Sequence, residues 1–480
     1  MDEDRDKYEN RASQIDNISS KINWTIQNDI SLIFEYNLTD AGNAELFRDI
    51  VGDVFCHVSD LGNWLKFDGV KYIKADEEAK LTMLAIIRKK IDLAQIYLTG
   101  KNQEDKRQKI IKHALASESS PKLRSALEIA QCMLSKSIVE FDKDKLLLCV
   151  EDGVIDLRRE GGGFRKAKPE DYLYKCTHIK FDSYAECPRW LQFLREIFKD
   201  DEKLILFIQK AIGYTLTGLT SAQCFFILYG TGANGKSVFL TILQLLLGEF
   251  AISTSMDTFK DRHQNNAQIP NDLAALCGKR FVKSTELKEG SKLNEERIKA
   301  LTGDESIQAR FLHKEFFDFF PEFKIWIGVN HRPVIRGTDE AIWRRPKLIP
   351  FEAYFPPEKR DENLLDTLKA ELPGILLWAI DGCHMWQREG LKLPDKVRKA
   401  TSEYREESDS IGEFLRECTI QGDGKKVKAG DLWEAYEKWC GGKADIKQTT
   451  FGLKVREKGF TKKSSMGYPY YHGIGLVDSW

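Results

Sequence analysis

The chain lacks the features that would place it in several large classes of protein. No apolar run among its 480 residues approaches the roughly 20 needed to cross a bilayer. The opening MDEDRDKYENR is acidic and polar where a secretion signal is basic and then apolar. Ten cysteines occur without a CxxC pair, so reduced, mostly buried thiols of a cytosolic protein are expected rather than a disulfide framework. Cys176, His178 and Cys187 match no usual zinc-finger spacing. With 73 Lys+Arg against 74 Asp+Glu the formal net charge is −1, so any nucleic-acid binding must rest on local basic patches. There is no internal repeat and no guanine-reading N-K-x-D segment.

What is present is enough hydrophobic mass for real cores, 42% apolar residues beside 31% charged, in a length that suits about three domains. Residues 1–25 read as a flexible polar tail. Residues 26–200 mix strand-like pieces (NWLKFDGVKYI, KLLLCVEDGVIDLR) with helical ones (EEAKLTMLAIIRKKIDLAQIYL, WLQFLREIFK), an α+β domain. Asp142 and Asp144 form a DxD pair, but no acidic or histidine cluster stands beside them and a solvated turn is expected. Residues 201–392 run strand, glycine loop, helix, strand, helix, strand, an α/β layout. Residues 393–410 read as a charged linker helix and 411–480 as a C-terminal module.

The most specific signal is CFFILYGTGANGKSVFLTILQLLLGEF. Within it GTGANGKS fits G-x-x-x-x-G-K-[ST] over Gly230, Thr231, Gly232, Ala233, Asn234, Gly235, Lys236 and Ser237. Glycines let backbone N–H groups surround phosphates without interference from a Cβ, and the following helix offers its positive end. Lys236 is then placed for the β- and γ-phosphates, and Ser237 for Mg²⁺. A buried-strand pattern before the loop and a long apolar helix after it make a nucleoside triphosphate site the expectation.

Further polar residues stand at strand ends. KRFVKSTELKEG gives a strand ending at Glu286, an acid placed to polarise water and to contact Mg²⁺, through water if not directly. Ser284 and Thr285 stand where an acid often helps hold the metal. FKIWIGVN ends at Asn330, an amide suited to sensing a γ-phosphate. Arg344 and Arg345 precede another strand and are read as guanidinium groups for a neighbouring subunit, Arg345 first. SIQARFLHKEFFDF reads as a hairpin with His313 and Lys314 at its tip, flanked by Lys299 and Arg310. Taken alone, that tip fits a solvated turn as well as a phosphate grip.

The order of phosphate loop, Glu286, IKALTGDESIQARF, Asn330 and paired arginines resembles the superfamily-3 helicases. More narrowly, with GVNHRPVIRGTDEAIWRRPKLIPF and the upstream TDAGNAELFRD, it is similar to the C-terminal helicase of phage and plasmid primases of the poxvirus primase–helicase type. The likeness runs from about residue 40 onward. It implies an AAA+-like core, ATP and Mg²⁺ as cofactors, a homo-hexameric ring on single-stranded DNA, and His313 and Lys314 lining its channel. A primase or polymerase partner and a cytoplasmic location, in the host if phage- or plasmid-encoded, follow from the same likeness. Two departures stand out. Residues before 26 leave no room for the primase domain the family often carries, so primase activity is not expected of this chain. Thr285 also replaces an acid.

The C-terminal module has the layout of a winged helix, as similar segments in this family do. AGDLWEAYEKWCGG is an amphipathic helix with Trp433, Tyr436 and Trp439 on its core face. TTFGLKVREKGF is a second helix capped by Thr449 or Thr450, and TKKSSMGYPYYHGIGL a wing. Lys454, Arg456, Lys458, Lys462 and Lys463 would contact DNA phosphates, with Tyr468, Tyr470 and Tyr471 expected mainly in the wing core. The expected activity is an ATP-driven replicative DNA helicase. An ATP-assembled DNA-binding initiator or scaffold without unwinding is the alternative.

Overall fold

The computed structural model describes residues 32–158, 162–260, 271–285, 292–310, 316–335, 337, 339–442, 444, 446–465 and 468–477. The chain forms two compact units. The first takes in residues up to 156 with 163–176, and the second residues 157–162 and 177 onward.

Among the described residues of the first unit, four α-helices, Asp40–Val51, Asp76–Tyr97, Glu104–Ser117 and Ser120–Met133, accompany two small sheets. One sheet orders Tyr72–Lys74, Asn63–Phe67, Phe55–Val58 and Ser135–Lys136, and the other Leu147–Val150, Gly153–Asp156 and Gly163–Arg165. The Thr39 hydroxyl caps the first helix by accepting from the Gly42 N–H at 3.1 Å. Phe47 joins helix to sheet, its ring 5.9 Å from Phe55 and edge-on to Trp64 at 5.6 Å. Asp142 corrects its sequence expectation. It is 8% exposed, accepts from the Tyr174 N–H at 2.9 Å and pairs with the Lys175 ammonium at 3.1 Å. It is a buried clamp, not a solvated turn.

In the second unit helices α1 (Pro188–Phe198) and α2 (Glu202–Leu216) lead into a five-stranded sheet. Its strands are β1 (Phe225–Tyr229), β2 (Ala251–Ser253), β3 (Phe281–Thr285), β4 (Lys324–Val329) and β5 (Pro346–Pro350), with α3 (Lys236–Leu247) following β1. All pair in parallel, in the order β5-β1-β4-β3-β2. Parallel sheets are covered on both faces, which is why FFILY and KIWIGV read as apolar runs without alternation. Phe226 of β1 stacks on Trp326 of β4 at 4.1 Å. Helix α1, expected in the N-terminal domain, belongs to this unit, because Trp190 stacks on Phe239 of α3 at 5.8 Å.

Helix α4 (Leu372–Glu389) follows the sheet, and then α5 (Asp395–Glu407), the expected linker. Helix α5 is anchored rather than free: Val397 and Tyr404 are buried, and the Tyr404 ring meets Trp343 edge-on at 5.2 Å. The C-terminal module runs α6 (Ser410–Cys418), β6 (Thr419–Lys428), α7 (Ala429–Trp439), α8 (Gln448–Glu457), β7 (Thr461–Ser465) and β8 (Tyr468–Leu476). Its strands form an antiparallel sheet ordered β6-β8-β7. Tyr436 is buried with Trp433 and Trp439 packed around it, as the amphipathic pattern requires. Helix α8 starts at Gln448 with Lys447 as N-cap, so Thr449 and Thr450 lie inside its first turn and neither caps it. No helix among the described residues is long and apolar enough to cross a membrane.

Candidate functional site

The glycine loop joins the middle of the parallel sheet to the N-terminus of α3. Three backbone distortions within four residues shape it, with positive φ at Gly232 (101°), Ala233 (47°) and Gly235 (86°). Such a run of left-handed residues before a helix makes a concave, anion-seeking backbone. At Gly230 a Cβ would lie 2.3 Å from the Phe351 carbonyl oxygen and 2.4 Å from the Asn234 amide nitrogen. At Gly235 it would lie 2.7 Å from Ile197 of α1. Both positions therefore exclude a side chain. The Asn234 amide donates to the Phe351 carbonyl at 3.2 Å, and the Phe355 N–H donates to the Ala233 carbonyl at 2.8 Å, fixing the loop to the segment after β5.

Lys236 is 7% exposed, and its ammonium donates to the Gly230 carbonyl at 2.6 Å and to the Asn234 side-chain oxygen at 3.0 Å. Burial pushes its amine down to about 8. Ser237 is exposed on the first turn of α3. A buried amine held by neutral oxygens, a side-chain-free cradle and an exposed hydroxyl together suit a triphosphate with its Mg²⁺.

Asn330 follows β4 directly, exposed, next to Val329, whose carbonyl accepts the Gly230 N–H at 3.3 Å. Thr285 ends β3 opposite Gly328, while the buried Ser284 hydroxyl is spent on the Thr254 carbonyl at 3.0 Å. Glu286 lies outside the described residues. Among the described residues no group of three or more His, Cys, Asp or Glu side chains is arranged to hold a metal ion.

Arg332 escaped the sequence reading. Its guanidinium sits 4.6 Å over the Tyr229 ring and donates to Glu407 of α5 at 2.5 Å. It lines a cavity of about 420 Å³ with Tyr229, Gly230, Thr231, Lys396 and Glu403. The available signal was the apolar stripe Val397, Ala400 and Tyr404 in an otherwise charged helix, which shows that α5 has a packed face but not that it lies beside the loop.

The paired arginines lie at the other end of the sheet. Pro346 pairs with Phe225 and Pro350 with Tyr229, so residues just before β5 sit at the start of β1 while the loop leaves its end. At about 3.3 Å per residue, the two ends are roughly 13 Å apart. Arg345 is 6% exposed, its Nε donating to the Thr302 hydroxyl at 3.0 Å and its Nη1 to the Ala341 carbonyl. Arg344 is exposed and donates to Gln223 at 2.6 Å. Of the pair, Arg345, placed first by the sequence reading, is thus the buried one, and Arg344 presents its charge to solvent.

Ile307–Arg310 and Phe316–Phe319 pair antiparallel with Arg310 opposite Phe316, as a hairpin requires. The tip residues His313 and Lys314 lie outside the described residues. Lys299 pairs with Asp339 at 2.9 Å, and the Arg310 guanidinium lies 4.7 Å over the Phe316 ring. In the C-terminal module Lys458 is bound to Asp409 and the Arg456 Nε donates to the Gly452 carbonyl at 3.3 Å. Lys462 and Lys463 are exposed on β7. Of Tyr468, Tyr470 and Tyr471 only Tyr471 is fully buried.

The fold and loop define an α/β protein with an anion-seeking glycine loop at the carboxyl edge of a parallel sheet. Residues 44–199 match the family described as D5 N terminal like, and residues 228–345 match a family of unknown function (DUF5906). A putative helicase of Acanthamoeba polyphaga mimivirus is 29% identical over 323 residues, 62% of this chain and 33% of that protein. A putative helicase of Frog virus 3 is 28% identical over 270 residues, 52% of this chain and 27% of that protein. Primase D5 of Fowlpox virus is 28% identical over 147 residues, 29% of this chain and 18% of that protein. These similarities support a relation between the chain and the primase–helicase proteins of large DNA viruses. It spans about a third of the length of the first curated relatives it matches. Among solved structures, the apo C-terminal region of NrS-1 is 14% identical with a TM-score of 0.49, covering 90% of this chain and 99% of that one.

Proposed function

We propose that the chain is an ATP-dependent DNA helicase acting in DNA replication, an AAA+-like ring motor of superfamily-3 type that moves along single-stranded DNA. The observation that carries this is Lys236, buried in a cradle that excludes side chains at Gly230 and Gly235, with Asn330 beside the strand end to which the loop is hydrogen bonded.

Each residue has a task. The backbone of 230–237 wraps the phosphates. Lys236 exchanges the Gly230 and Asn234 oxygens for phosphate oxygens, which restores its full charge. Ser237 and Glu286 would hold Mg²⁺, which when bound neutralises charge developing on the phosphates. Glu286 orients and deprotonates the attacking water, and Asn330 contacts the γ-phosphate. The sheet geometry keeps Arg344 about 13 Å of strand from its own loop, which supports action on the neighbour's triphosphate, with Arg345 as its buried support. The His313–Lys314 tip would grip the DNA strand as the subunits cycle, which cross-linking to the strand tests. The C-terminal order of helix, strand, helix, helix and two strands supports a winged helix as a second DNA contact.

The decisive experiment measures ATP hydrolysis and strand separation with and without single-stranded DNA. Hydrolysis stimulated by the strand, with unwinding of a tailed duplex, is expected. Nucleotide binding with neither activity refutes the motor and leaves an assembly factor.

A further inference from the structure

The outer face of the C-terminal sheet carries lysines of β6 and accessible tyrosines of β8 that the sequence expectation, which placed Lys462 and Lys463 on DNA and the tyrosines mainly in the core, did not assign. Paired residues in antiparallel strands share a face, and the face alternates along each strand. Lys428, Tyr470 and Lys463 stand in one row across β6, β8 and β7, and Lys426, His472 and Thr461 in the row two residues away. Tyr468, two residues before Tyr470, is on the same side. Val427 and Tyr471 take the opposite side, where both are buried against α6, α7 and α8.

The outer face is open and basic. Lys426, Lys428 and Lys463 are exposed, Tyr468 is 59% exposed and Tyr470 is half-buried. The Lys428 ammonium lies 5.1 Å from the centre of the Tyr468 ring, and Lys426 lies 5.5 Å from that of Tyr470. Neither β7 nor β8 contains an Asp or Glu, and the one acid in β6, Asp423, stands where the pairing register shifts. The helix α8 is poorer in available cations. Lys458 is engaged with Asp409, and the exposed Arg456 sits beside Glu457.

We infer that this sheet face binds single-stranded nucleic acid, with Tyr468 and Tyr470 stacking on bases while Lys426, Lys428 and Lys463 take phosphates. Rings spaced about 7 Å along one strand and flanked by lysines form a stacking platform in an electrostatic groove. The contacts are to ring faces and phosphates, so binding is tolerant of sequence. The inference rests on the reading of the chain as a DNA-binding replication protein, but it needs neither ATP nor a ring.

The test is fluorescence anisotropy of a labelled oligothymidylate with the full chain in the absence of nucleotide. Tyr468→Ala with Tyr470→Ala should weaken binding roughly tenfold or more, and the double Phe variant should bind like the wild type. Replacing Lys426, Lys428 and Lys463 by Gln should reduce the slope of log affinity against log salt by about 2. Circular dichroism of each variant checks that the module is folded. Undiminished binding by the folded tyrosine and lysine variants, tighter binding to a matching duplex, or no binding by the wild type overturns the inference. ATP turnover measured on the same samples judges the motor separately. A chain that binds through this face but does not hydrolyse ATP keeps the platform and loses the motor.

Discussion

Replacing Arg344 and Arg345 one at a time separates chemistry from scaffolding. Arg345→Ala removes a buried guanidinium from the Thr302 hydroxyl at 3.0 Å and from the Ala341 carbonyl, leaving both acceptors and a void behind. Each hydrogen bond from a charged group contributes about 1.5–3 kcal/mol, and the cost of burying the charge offsets part of that. Burial and the adjacent Arg344 already hold the Arg345 pKa below the usual guanidinium range, so the offset is real. A net loss of about 2–4 kcal/mol is expected, read as a melting point several degrees lower. Arg344→Ala loses one exposed contact to Gln223 and should melt within about 0.5 kcal/mol of wild type, yet lose roughly 10³- to 10⁵-fold in turnover. Mixing Arg344→Ala with Lys236→Ala subunits gives a further readout. A loop intact on one subunit can meet an arginine intact on the next, so an equal mixture should regain about a quarter of the sites of a ring. Equal stability of the two arginine variants, or no recovery on mixing when both variants form rings, would refute the assignment.

Other outcomes follow from the loop and its surroundings. Lys236, held near 8 in the folded chain against an ordinary value of 10.5, makes the unfolded state the better proton binder between those values. Nucleotide-free stability should therefore rise as pH increases from about 8 to 10.5, while ATP affinity falls over the same window, as paired denaturation and titration series would show. Triphosphate binding just above pH 8 should take up a proton, measurable as a binding enthalpy that depends on the buffer. Gly235→Ala puts a Cβ 2.7 Å from Ile197 at a φ of 86°, and should abolish nucleotide binding and cost about 1–3 kcal/mol in thermal denaturation. Glu286→Gln should bind ATP normally and hydrolyse it roughly 10²- to 10⁴-fold more slowly in single-turnover assays. Arg332→Ala, by opening the cavity beside Gly230 and Thr231, should weaken nucleotide binding with less effect on the hydrolytic step.

The parts legible in the sequence are those fixed by local backbone chemistry. Glycines at 230, 232 and 235 before a lysine specify a strand-to-helix loop, because only that conformation needs them together. The aromatic spacing of Trp433, Tyr436 and Trp439 specifies the buried face of α7 in the same way. What was hidden depends on partners distant along the chain. Adjacent arginines have equivalent sequence contexts, and Thr302, 43 residues away, decides that Arg345 is the buried one. Arg332 depends on Glu407, 75 residues away. The amphipathic pattern of α1 shows that it has an apolar face but not that α3 would cover it. Thr449 and Thr450 offered good capping chemistry, yet the N-cap is Lys447, two residues before Thr449, and no side chain caps the helix there.

The two ends of the parallel sheet carry different kinds of positive charge. At the end where the loop emerges, Lys236 is bonded to oxygens of the loop itself, partners that an arriving anion can displace. At the opposite end, Lys324 donates to the Leu219 and Glu322 carbonyls at 3.1 and 3.2 Å, and Arg280 donates to the Leu216 carbonyl at 2.7 Å. Both are 1% exposed, and burial with the neighbouring Arg280 drives the Lys324 amine well below its ordinary value. These groups tie the strand starts to the segment after α2, and moving them would leave buried carbonyls unpaired. Arg345 belongs with them by burial and bonding, whereas Arg344 does not. A cation that is exposed at the strand starts and follows a fold that holds its neighbour buried is poorly placed for its own loop, and in the proposed ring it would act on an adjoining subunit, so the mixed-subunit measurement bears directly on why the two arginines stand side by side.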